Sequence, residues 1–145
     1  MSDPTPAYLR PLDATPPSIP DPHAAERGHH LMPLEAIRLL PPLYSTEPTP
    51  TEEKRLPVKL FSSIGWRWYL AELDPDQALA FGFVTTPDCP QGEWGYVSLP
   101  ELIGVRVTVR FGGAARGSMR LLAVERDLHW SPDSRLLDVL REPVG

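Results

Sequence analysis

The sequence predicts an α+β fold, mainly antiparallel β-sheet with a few short helices, preceded by a proline-rich N-terminal extension. Three observations lead there. From Leu56 onward apolar and polar residues alternate in short runs, the period of strands rather than helices. Proline, glycine and aspartate punctuate those runs at turn positions. The few helical signals are short, and each is bounded by proline or glycine. At 145 residues the chain is expected to hold one domain around a single core.

Residues 1–31 are assigned to the extension and 32–145 to the domain. Seven of the 19 prolines fall before His23. The stretch "SDPTPAYLRPLDATPPSIPDPH" alternates proline with small and polar residues and has no hydrophobic period. It is expected to be polyproline-II-like or disordered unless bound, as a plain tail or as a ligand for a partner's aromatic groove. Met32 could serve as an alternative start. "LMPLEAIRLL" then offers a short helix headed by Pro33, with Leu34, Ile37 and Leu40 on one side. Pro41 and Pro42 stop it, since neither donates a backbone bond. Leu43 and Tyr44 are expected to fold back on that helix.

After the polar "TEPTPTEEK", strands follow. "LPVKLFS" places Val58 and Leu60 opposite Lys59 and Phe61. "WRWYLAELD" carries Trp66, Trp68 and Leu70 on one face and Tyr69, Ala71 and Leu73 on the other, which predicts a central strand. Asp74-Pro75-Asp76 is a turn. "ALAFGFV" sorts Leu79, Phe81 and Phe83 from Ala78, Ala80 and Gly82, a small-residue face that a helix or loop could approach closely. "TTPDCPQG" is a loop and "EWGYVSL" the next strand. Ser98 to Glu101 forms a capping box for a short helix ended by Gly104. "VRVTVRF" alternates strictly, with Val105, Val107, Val109 and Phe111 expected inward and Arg106, Thr108 and Arg110 outward. "GGAARGS" is the hairpin loop and "MRLLAVERDLHW" the return strand or strands. Ser131 and Pro132 are expected to open a last helix with Leu136, Leu137 and Leu140, ended before Pro143.

Net charge is −5, which argues against a general nucleic-acid binder. Its distribution is uneven. Between Gly65 and Gly104 stand Glu72, Asp74, Asp76, Asp88, Glu93 and Glu101 against Arg67 alone. Between Val105 and Val124 stand four arginines and no acid. The one cysteine, Cys89, excludes an internal disulfide and fits a reducing, cytoplasmic setting. No transmembrane run or signal peptide is evident.

In order along the chain, "LLPPLYSTE", "VKLF", "WRWYLAEL", "FGFV", "EWGYVSLPEL" and "VERDLHW" together resemble the bacterial domain-of-unknown-function family 2958, DUF2958. The resemblance spans roughly Met32 to Asp138. It implies an α+β fold and an origin on plasmids, phages and other mobile elements, and it brings no catalytic residues. Pro41-Pro42-Leu43-Tyr44, which also spells a WW-domain ligand, is on this resemblance part of the folded start. The proline tail and the arginine-rich strand-loop-strand depart from the family pattern.

Four candidate sites remain. Arg106, Arg110, Arg116 and Arg120 would form a positive stripe whose guanidinium forks suit carboxylates or phosphates, or else a solvated face against the acidic middle region. Glu125, Asp127 and His129, alternating to one strand face, could hold a divalent metal that activates water, with Glu72 or Glu93 as a further ligand; the spacing is commonplace, and the plainer reading is a charged solvent face whose carboxylates pair with arginines. Cys89 lies among acids and prolines, which disfavours a thiolate nucleophile. Trp66, Trp68, Tyr69, Trp94 and Tyr96 could stack bases, but phosphate attraction is missing there and core packing is the expectation. His29-His30 is too short a pair to be read as a metal site. The resulting expectation is a cytoplasmic protein without a cofactor. It acts by binding a host or element-encoded protein through the arginine hairpin, in an anti-defence or DNA-transaction role. A metal-assisted hydrolase and a nucleic-acid binder are the alternatives.

Overall fold

The computed structural model describes residues 15–141. Its elements in chain order are α1 (Ala24–Arg27), α2 (Leu34–Ile37), β1 (Val58–Ser62), β2 (Arg67–Asp74), β3 (Leu79–Thr86), β4 (Cys89–Ser98), α3 (Leu99–Gly104), β5 (Arg106–Phe111), β6 (Gly117–Leu122), β7 (Val124–Arg126) and α4 (Leu136–Leu140). Strands β4, β3, β2, β1 and β7 form one antiparallel sheet in that order, and β5 with β6 forms a separate hairpin. The α+β prediction holds.

β2 is central, as its apolar character on both faces requires, and its interior is buried throughout. One face packs Trp68 and Leu70 against Ile37, Leu99 and Ile103 of the covering helices. The other packs Tyr69, Ala71 and Phe83 against Leu136 and Val139 of α4. A register shift between Leu70 and Glu72 overturns the simple alternation expected of β2. Ala71 is the extra residue, so Leu73 joins Trp68 and Leu70 in the first core, and Glu72 stands opposite Phe81 on the second face. Gly82 lies in the same region. A Cβ there would run into the Tyr69 carbonyl, so its small size admits the neighbouring strand rather than a helix or loop.

Several boundaries differ from the sequence expectation. β4 begins at Cys89, inside the expected loop, and contains Pro90; an edge strand tolerates a residue that cannot donate outward. α4 starts at Leu136 rather than beside Pro132. Leu56 N donates to Ser134 O and Leu136 N to Lys54 O, holding Ser134 and Arg135 extended against residues 54–56. Ser131 instead accepts from Asp133 N in a local turn.

The core reaches back before Met32. Ile19 and Leu31 belong to the first cluster and are buried. Asp21 and Arg27 form an ion pair at 2.6 Å with both side chains 1% exposed. Arg27 also donates to Val124 O and Ile103 O, while Asp21 accepts from Leu31 N and His23 N. Apolar residues in a proline-rich segment thus dock residues 19–31 without any hydrophobic period. Residues 1–14 of the expected extension and the expected helix stop at Pro143 lie outside the described residues.

Candidate functional site

The β5–β6 hairpin pairs with no strand of the main sheet. Its register, Arg106↔Leu122 through Phe111↔Gly117, sorts side chains onto two faces. One carries Arg106, Thr108, Arg110, Ser118 and Arg120, with Leu122 at its base. The other carries Val107, Val109, Phe111, Met119 and Leu121.

The base of the hairpin is gripped on both sides. Arg106 donates twice to Glu26, at 2.6 and 2.9 Å, and Val107 packs against the first core. Ala123 N donates to Val105 O at 3.0 Å and Ser63 N to Ala123 O at 3.4 Å, which fixes the ribbon's exit. The hydrogen bonds from Arg106 hold the Glu26 carboxyl below its ordinary 4.5, and the same pairing raises the Arg106 guanidinium.

Beyond Val107 the ribbon leaves the body. Residues 108–114 and 116–121 are exposed. The sequence expectation that Val105, Val109 and Phe111 point inward is therefore corrected: they are 41–44% exposed, and of the four only Val107 reaches the core. Strict alternation marks a strand with one apolar face, but it cannot say whether anything lies over that face. The exposed apolar row completed by Met119 and Leu121 was missed for that reason.

On the reverse face Arg110 and Arg120 are diagonal neighbours across the ribbon, and Arg116 stands at its glycine-bounded tip. None of the three makes an ion pair or side-chain hydrogen bond with a described residue. Arg106 is set apart from them by its pairing with Glu26.

Glu125, Asp127 and His129 are not brought together on a strand. β7 ends at Arg126, and the chain then turns, with His129 N donating to Asp127 Oδ1. Asp127 lies 3.9 Å from Lys59, whose ammonium sits over the Tyr69 and Trp130 rings. Glu93 is on the far edge strand, with three strands between β4 and β7. Glu72 is buried under residues 44–46, accepting from Tyr44 N at 2.8 Å, Thr46 N at 2.9 Å and the Thr46 hydroxyl. Among the described residues no three His, Cys, Asp or Glu side chains are grouped to hold a metal ion.

Tyr44 does not fold back on the helix. It has φ of 70°, is exposed, and its hydroxyl meets that of Tyr96 at 3.3 Å. Cys89 is half-buried at the start of β4. The aromatics divide as packing demands: Trp68 and Tyr69 are buried on opposite faces, Trp94 stacks on Phe81, and Trp66 and Tyr96 are exposed. His29 and His30 contact each other only through Nδ1 and a backbone carbonyl. A cleft of about 470 Å³ opens between Pro41, Pro57 and Pro132, with Lys54 at its side bonded to Thr46. Among the described residues no helix is long and apolar enough to cross a membrane.

A family model described as "Protein of unknown function (DUF2958)" matches residues 44–142. Neither a curated protein nor a solved structure matches the chain significantly.

Proposed function

We propose, from the premise that this chain belongs to the DUF2958 family, that it is a non-catalytic binding protein whose docking element is the β5–β6 hairpin. One observation carries the reading: Arg110, Arg116 and Arg120 project on a ribbon that stands clear of the body, with no acid between Val105 and Val124. Guanidinium groups at diagonal positions on one ribbon face and at its tip offer forked donors to carboxylates, and an unspent positive face on a molecule of net charge −5 favours an acidic protein partner over unselective nucleic-acid binding. The mobile-element setting makes that partner host-derived or element-encoded, and the cytoplasm the place of encounter.

The test is a pull-down from bacterial lysate, with and without nuclease, comparing wild type with Arg110→Ala/Arg116→Ala/Arg120→Ala. A stoichiometric protein that survives nuclease and disappears with the triple variant is the expected result. Equal recovery by the variant overturns the reading, and recovery of nuclease-sensitive material alone replaces it with nucleic-acid binding.

A further inference from the structure

On the second face of the main sheet the geometry points to a further docking site, in which the rings of Tyr44, Tyr96, Phe81 and Trp94 take an arginine-bearing segment of a protein partner. The site is separate from the arginine hairpin and does not rest on it.

Its rings form one continuous series. Trp94 meets the buried Phe83 edge-on and stacks on Phe81, with centroids 5.5 Å apart at 9°. Phe81 meets Tyr96 edge-on at 5.3 Å, and the Tyr96 hydroxyl donates to that of Tyr44. α4 covers this face at Tyr69, Ala71 and Phe83. The far end is left open among the described residues, with Tyr44 60% and Tyr96 55% exposed. Tyr44 is also fixed in place. Its φ of 70° is unfavourable for an aromatic residue, and the Glu72 carboxylate holds the turn by accepting from Tyr44 N and Thr46 N.

The charge around these rings decides what they take. Glu72 is buried under the turn, opposite Phe81, and Glu47 is exposed three residues beyond Tyr44. Neither makes an ion pair with a described residue, and Lys54 reaches Glu72 only through the Thr46 hydroxyl. The Tyr96 phenol is held above its ordinary 10, chiefly by its hydrogen bond with Tyr44, with desolvation and the charges of Tyr44, Glu72 and Glu47 adding to it. The potential at the open end is therefore negative. An aromatic face attracts a cation, and the two carboxylates repel an acidic segment. Arginine fits better than lysine. Its flat, weakly hydrated guanidinium stacks on a tyrosine ring, while its forked donors remain free for a carboxylate such as Glu47.

The test is an NMR titration of the full chain with the peptide acetyl-Gly-Arg-Gly-Arg-Gly-amide, read at the ring signals of Tyr44, Trp94 and Tyr96. Saturable shifts are expected with this peptide, weaker binding with lysine in place of arginine, and no shift with neutral citrulline. Tyr44→Gly/Tyr96→Thr should weaken binding roughly tenfold, read at Trp94. Glycine suits the positive φ and threonine the strand, so the far-UV spectrum should not change. Glu47→Gln alters an exposed side chain bonded to no described residue, and should weaken binding several-fold with the fold intact. The triple arginine variant of the hairpin should bind the peptide as wild type does, which separates this inference from the proposed function. Absence of shifts at these rings, equal shifts with citrulline, or undiminished binding by both variants overturns it.

Discussion

Gly82 and Glu72 show how single side chains fix the centre of this sheet. At Gly82 the carbonyl of Tyr69 occupies the space a Cβ would need. Gly82→Ala is expected to lower stability by about 2 kcal/mol through overpacking, measured as a fall in the urea midpoint at constant slope. Glu72 is buried in a strand, yet both its oxygens are satisfied by the 44–46 segment. Glu72→Gln turns one acceptor into a donor facing a donor, and should cost about 1–3 kcal/mol in the same assay. Glu26 supplies a pH dependence. Its carboxyl titrates below the ordinary 4.5 because Arg106 hydrogen-bonds it. The folded chain thus holds that proton more weakly than the unfolded chain does. The contribution is fully present above the unfolded value and is lost as pH falls through the folded one. NMR titration of the Glu26 side chain should give a midpoint below that of a free glutamate, and Arg106→Gln should return it to the ordinary range.

At the scale of elements, the docking of residues 19–31 is the feature that a hydrophobic pattern could not show. Asp21 and Arg27 lock this segment to α3 and β7 by a buried pair and two carbonyl contacts. Removing Arg27 leaves Asp21 buried without its counter-charge, so Arg27→Ala should destabilise the protein by about 3 kcal/mol. A chain begun at Met32 loses the burial of Ile19 and Leu31 as well, and should unfold at markedly lower urea than the full chain. An equal midpoint for the two would show that the segment adds nothing to the fold. The hairpin behaves in the opposite way. Because Arg110, Arg116 and Arg120 are exposed and bonded to no described residue, the triple alanine variant should change stability by no more than about 0.5 kcal/mol.

For the whole molecule, the sequence by itself determined the α+β class, the central place of β2, the capped start of α3, the turns, and the family. These are local matters: alternation, capping and turn chemistry act within a few residues and can be read along the chain. It also determined that the only long acid-free stretch of arginines is one hairpin. What the tertiary structure decided depends on partners distant in sequence. The bulge at Ala71 moves Leu73 to the first core from the face of Tyr69, pairing with residues 54–56 delays α4 past Pro132, and β7 crosses from the hairpin to the edge beside β1. The same holds for the candidate site. Alternation assigned Arg106 and Arg110 to one face of β5 and Val107, Val109 and Phe111 to the other. Only the placement of the ribbon beyond the edge of the core left that second face open, because burial depends on what packs from elsewhere and no strand encodes its own cover.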